Sequence, residues 1–159
     1  SDAIEIGERV AGRYGALSAP HEGPRCLTHN DFRPDNMMFA TAAGGHPVTT
    51  LDWQSFAYGV GATDVAYFLA GALSPEVRRA NEAGLLGRYL EGLKAHGVSA
   101  YGAADLARDY GRGGFLLFMT AFFAAMVVKQ TPRGDDMFMQ MLGSASRHIL
   151  DHNALATLG

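Results

Sequence analysis

Two short stretches decide how this chain reads: His29-Asn30-Asp31-Phe32-Arg33-Pro34-Asp35-Asn36 and, further on, Leu51-Asp52-Trp53. The β-prone residues from Arg25 to Thr28 run straight into the first of them, which places that polar segment on a loop after a strand. Ahead of the strand, Ala19-Pro20-His21-Glu22-Gly23-Pro24 is dense in turn formers. Behind the loop, the apolar runs Met37 to Ala40 and Val48 to Leu51 flank Ala43-Gly44-Gly45-His46-Pro47, so they read as a β-hairpin. Its outer ends carry Asn36 and Asp52. If the strands pair in register, these two residues become neighbours although they are far apart in sequence.

Residues of these types suit phosphoryl transfer. That chemistry needs a proton acceptor for the attacking hydroxyl, oxygen ligands for Mg²⁺, and charge or dipoles to neutralise phosphate. Magnesium is a hard ion that takes carboxylate, amide oxygen and water, so Asp and Asn are the fitting donors. Asp31 is the candidate catalytic base, and Asn36 and Asp52 are the candidate metal and nucleotide-phosphate ligands.

His29-Asn30-Asp31, four residues and then Asn36 is similar to the catalytic loop of protein kinases, and more so to that of the aminoglycoside phosphotransferase family, with its choline, ecdysteroid and related small-molecule kinases. Leu51-Asp52-Trp53-Gln54 resembles that family's metal-binding segment, and Gly61-Ala62-Thr63-Asp64-Val65-Ala66-Tyr67-Phe68-Leu69 resembles its glycine-led turn into a helix. The resemblance implies the C-terminal lobe of a protein kinase-like fold. It implies a γ-phosphate transfer from ATP or GTP to the hydroxyl of a small molecule, with Mg²⁺ as cofactor. It also implies that Asp64 braces the catalytic loop through hydrogen bonds and that His29 supports the loop from beneath. Trp53 reads as packing under the metal loop, with stacking on a base or sugar as the other reading.

The chain departs from the family pattern in three places. Asn30 stands where the family has Gly. Arg33 takes the place of a protein-kinase lysine, so it either touches the transferred phosphate or forms an ion pair with Asp35. An N-terminal lobe with a phosphate-covering loop, a lysine and its glutamate is absent from these residues. The resemblance therefore covers nearly the whole chain but only one half of the family's fold. A missing N-terminal lobe or a partner chain is expected to complete it, and the opening Ser-Asp-Ala, without Met, reads as cut from something longer. The alternative function is a catalytically inactive binding or scaffolding module. A third is a metal-dependent hydrolase using the same carboxylates.

Around this centre the chain reads as mainly α with a minor β element, one domain over 1–159, with a catalytic loop at 28–36, a metal loop at 51–54 and a helical subdomain at 63–157. A first helix runs from about Asp2 to Tyr14 and stops at Gly15. Another starts near Thr63-Asp64, and a further one starts at Ser74-Pro75-Glu76, which offers a cap, a first-turn proline and an acid for the helix dipole. Glycine at His96-Gly97 should end that helix. Two more are expected, over about Ala103 to Lys129 and about Asp135 to Ala156. Gly111-Arg112-Gly113-Gly114 has no strand before it and reads as a helix irregularity, not a phosphate cradle.

Composition narrows the partners. At 159 residues, 48% hydrophobic and 18% charged, the chain is expected to fold around a real core. With 13 Lys and Arg scattered against 16 Asp and Glu, nucleic acid is not an expected partner. The lone Cys26 rules out an internal disulfide and lacks a nucleophile signature, and a reducing cytoplasm is the expected compartment. The most apolar run, Phe115 to Val128, is shorter than the roughly 18 residues of a membrane span and reads as a core helix, so no membrane partner is expected. His148 and His152 have the i, i+4 spacing that binds zinc on a helix, but with no glutamate between them and no third ligand in view they read as surface residues near a helix end.

Overall fold

A computed structural model of the chain describes residues 1–17 and 23–159. The turn formers Ala19 to Glu22, His21 among them, lie outside the described residues. In chain order the elements are α1 (Asp2–Gly12), α2 (Tyr14–Leu17), β1 (Cys26–Thr28), β2 (Met37–Thr41), β3 (Gly44–Thr50), β4 (Ala57–Gly59), α3 (Gly61–Ala72), α4 (Pro75–Ala95), α5 (Ala103–Val127) and α6 (Pro132–Asp151). The architecture is mainly helical with two small antiparallel sheets.

The hairpin forms, but with a tighter turn than the sequence suggests: Gly44 to Pro47 belong to β3, and Ala42-Ala43 make the turn. Met37 pairs with Thr50, Met38 with Thr49 and Phe39 with Val48, and an irregularity follows before Thr41 meets Gly44. Leu51 N–H donates to the Asn36 carbonyl at 2.8 Å, which carries the ladder one step past β2 and β3 and sets Asn36 beside the residue that precedes Asp52. The second sheet is not legible from sequence periodicity. β4 is three residues long, and it pairs with β1 from across the whole loop region, Cys26 opposite Gly59 and Thr28 opposite Ala57. That sheet clamps the base of the loops.

The helices follow their caps. Ser74 Oγ accepts from Val77 N–H at 3.3 Å and Pro75 opens α4, as its sequence suggests. At α6 the real cap is Thr131, whose Oγ1 accepts from Gly134 N–H at 3.1 Å, so the helix starts at Pro132 and not at Asp135. It ends at Asp151, where Asn153 turns left-handed (φ 48°) into a short 3-10 turn, Ala154–Leu158. The N-terminal helix ends at Gly12 instead of running to Tyr14, and Gly15 lies inside the extra turn α2.

The glycine run at 111–114 needs correction. It is no irregularity, for α5 is continuous through it. A Cβ on Gly113 would lie 2.6 Å from Ala66 Cβ, and one on Gly114 would lie 2.5 Å from His148 Cδ2, so the glycines let α3 and α6 approach the two sides of α5. Between these helices Tyr67, Ala70, Phe115, Leu117, Phe118 and Ile149 form a core closed by Ile6 and Val10 of α1. Taken whole, α5 is long and apolar enough by length and composition to cross a membrane, which the shorter count from Phe115 to Val128 missed. Its buried Asp109 and its packing against α3 and α6 make it the central helix of the fold.

Candidate functional site

Asp64 sits in the first turn of α3, just below the loop that begins at His29. Its Oδ2 accepts from His29 N–H at 2.7 Å and its Oδ1 from Asn30 N–H at 2.9 Å. One carboxylate thus holds two consecutive main-chain donors and fixes the start of the loop. Asn30 then takes a left-handed conformation (φ 63°), which explains why a glycine is at home in this place and why Asn, among the residues with side chains, tolerates it. Its amide donates to the Ser55 carbonyl at 2.9 Å, a second tie between the two loops.

His29 is buried, and its ring spans the same gap. Nε2 lies 2.8 Å from the Leu51 carbonyl, which can only accept, so the proton is on Nε2 and Nδ1 is free to accept from Asp31 N–H at 3.2 Å. Trp53 covers this ring with centroids 4.8 Å apart and donates its indole N–H to the Thr50 carbonyl at 3.2 Å, while leaving its other side exposed. The 28–36 and 51–54 loops are therefore joined through one imidazole.

The Asp31 carboxylate is held at both oxygens. Oδ2 accepts from Asn36 Nδ2 at 2.8 Å, and the same nitrogen reaches the Asp31 carbonyl at 2.9 Å. Oδ1 accepts from the Tyr67 hydroxyl at 2.9 Å. Tyr67 is buried in α3, and burial, with the Asp31 charge beside it, pushes its hydroxyl pKa well up, so it remains a donor at any ordinary pH. Sequence reasoning did not single out Tyr67. The available signal was its position three residues after Asp64, on the same helical face.

Asn36 spends its NH₂ on Asp31, so its amide oxygen is the end left to serve a cation. Asp52 follows the hairpin in a left-handed conformation (φ 58°) with its side chain exposed, and among the described residues its carboxylate accepts only a long hydrogen bond from Gln54 Nε2 at 3.5 Å. An amide oxygen and a weakly engaged carboxylate at the joined ends of one hairpin are a hard-oxygen donor set, which fits Mg²⁺. Arg33 is turned to Asp35, with Nε and Nη2 at 3.0 and 2.9 Å from Asp35 Oδ2, and the guanidinium holds that carboxyl below the usual carboxylate range. Its Nη2 also lies 3.6 Å from Met137 Sδ. Burial raises the Cys26 thiol pKa, so this group is no ready nucleophile.

A family model described as "Ecdysteroid kinase-like family" matches residues 6–99, a span that contains both loops and Asp64 and ends before α5. No curated protein and no solved structure matches the chain.

Proposed function

Since the chain belongs to the ecdysteroid kinase-like family, a family of kinase-like phosphotransferases, we propose that it is the C-terminal lobe of a small-molecule kinase. The reaction is transfer of the γ-phosphate of ATP or GTP to a substrate hydroxyl, of the kind aminoglycoside phosphotransferases carry out. The observation that carries this reading is the Asp31 carboxylate, fixed at both oxygens by Tyr67 and Asn36 on a loop that Asp64 and His29 anchor.

Asp31 orients the hydroxyl and takes its proton as the oxygen bonds to phosphorus and the bond to the nucleoside diphosphate breaks. Mg²⁺ at Asn36 and Asp52 would supply neutralisation of phosphate charge. Arg33 is a secondary candidate for that charge, provided it leaves Asp35. Apolar side chains stand exposed on the two sheets, among them Leu27 at 59%, Phe39 at 59% and Tyr58 at 72%, and they support a nucleotide-clamping lobe or partner chain packing there. The cytoplasm, with its Mg-ATP, is the compartment this reading favours.

The test uses the full-length gene product with Mg-ATP and a panel of small alcohols. Asp31→Asn should lower turnover by about 10² to 10⁴ while nucleotide still binds, and an unchanged rate removes Asp31 from the reaction. Asp52→Ala should abolish Mg-dependent nucleotide binding in calorimetry, and an unaltered affinity refutes its metal role. Nucleotide binding without turnover on any acceptor would favour the inactive binding module.

A further inference from the structure

Outside the loops, α4 and α6 meet over a second polar cluster. Contrary to the surface position its sequence suggests, His148 is fully buried, and His152 packs against it with ring centroids 4.6 Å apart. The third ligand that the sequence left out of view is Glu82, from α4. One ligand atom from each of Glu82, His148 and His152 lies within 4.8 Å of the other two.

We propose that Glu82, His148 and His152 form a three-ligand site for a divalent transition-metal ion of the zinc type, which braces α4 against α6. The observation that points to a ligand is His148 itself. Its Nε2 lies 2.9 Å from the Tyr110 carbonyl and must be the protonated nitrogen, since a carbonyl only accepts. Its Nδ1 is then a lone pair, buried and without a hydrogen-bond partner among the described residues. A buried acceptor left unmade is costly, and a ring whose other N–H is fixed on a main-chain carbonyl has the usual arrangement of a metal-bound histidine.

The chemistry of the donor set fits. Two histidines one helical turn apart plus one carboxylate is a zinc set that leaves a fourth position open. Metal bonds of roughly 2.0–2.2 Å require the ligand atoms about 3.5 Å apart, so the three side chains close by about an ångström. Arg78 stands in the way. Its Nη1 lies 2.6 Å from Glu82 Oε2 and 3.2 Å from His152 Nε2, which is the place of positive charge in the ion-free cluster. Asp151 also binds Arg78 through Nη2, and it keeps the guanidinium partnered when an ion takes Glu82 and His152. Binding is thus an exchange of cations at one carboxylate, and it weakens the site relative to one without the arginine.

The experiment strips the chain with a chelator and titrates Co²⁺, then Zn²⁺ in competition. The expected result is one Co²⁺ per chain with visible d–d absorption, displaced by Zn²⁺, and a melting temperature that rises by about 5 °C with saturating zinc. His152→Asn should weaken binding at least about tenfold, whereas a His46→Asn/His96→Asn variant should bind as before. Long-range ¹⁵N NMR of the unaltered chain gives an answer that needs no variant: zinc should shift the His148 Nδ1 resonance. No d–d band, equal affinity in His152→Asn, or zinc shifts confined to other histidines would each overturn the proposal.

Discussion

His29 in the loop region and His148 in the helical region are both buried, and each donates Nε2–H to a main-chain carbonyl, Leu51 at 2.8 Å and Tyr110 at 2.9 Å. They differ at the other nitrogen. His29 Nδ1 accepts from Asp31 N–H, whereas His148 Nδ1 has no partner among the described residues. In the loop region the imidazole is a strut, its bonding capacity spent on the backbone, and the groups left open are oxygens at the surface. In the helical region a nitrogen lone pair is held in reserve among charges that neutralise one another. The same contrast holds for the arginines: Arg33 pairs with one exposed carboxylate, while Arg78 is buried between Glu82 and Asp151.

The largest effect should come from breaking the buried side of that comparison. Arg78→Ala takes the guanidinium from Glu82, which keeps Tyr110 and His152 beside it, and leaves Asp151 to Arg79 alone, at a cost of about 3–5 kcal/mol in urea unfolding. A loss below about 1 kcal/mol would mean that solvent screens this network as it screens the exposed pair.

Acid should act next, at His148. The folded-state pKa of His148 is depressed to about 4 from its ordinary 6.5, so its unfolded form binds the proton first. Its contribution to stability is present above pH 6.5 and is lost as pH falls towards 4, by up to about 3 kcal/mol. Denaturation curves between those pH values should show this slope, and His148→Gln should flatten it. An unchanged slope in the variant would assign the effect to other groups.

A smaller loss is expected where the loop is braced. Asp64→Asn keeps one acceptor oxygen for two main-chain donors and turns an NH₂ towards the other, so one of His29 N–H and Asn30 N–H loses its partner. The cost is about 2 kcal/mol, and hydrogen exchange should show it first at these amides. Equal protection in the variant would place the strength of the loop in His29 instead.

These contrasts also show what the sequence could disclose. Local signals were readable: the Ser74-Pro75 cap, the presence of a hairpin after the polar loop, and a motif whose resemblance to a kinase family drew attention to Asp31, Asn36, Asp52 and Asp64. What stayed hidden depends on partners distant in sequence. β4 is too short for a period and is defined only by pairing with β1. Tyr67 reads as one more apolar position of α3 until its hydroxyl meets Asp31. His148 reads as a surface residue near a helix end, because the helix against which it packs is set by Gly114, a residue the sequence presents as a break. Burial of a polar side chain is a tertiary fact, and neither spacing nor propensity reports it.

The smallest effect on stability, and the finest test of the comparison, belongs to Arg33. Its pair with Asp35 is two residues long, and Asp35 is 70% exposed, so screening and side-chain entropy leave little net gain. Arg33→Gln should change unfolding free energy by less than about 0.5 kcal/mol. Turnover in the full-length protein is the separate readout. If Arg33 swings from Asp35 to the transferred phosphate, the variant loses rate at unchanged stability, and Asp35→Asn, which frees the guanidinium, does not. If both variants turn over like the parent, Arg33 is a surface ion pair, and the loop's positive charge has to come from elsewhere. The buried arginine gives no such separation, because any change at Arg78 is first a change in folding.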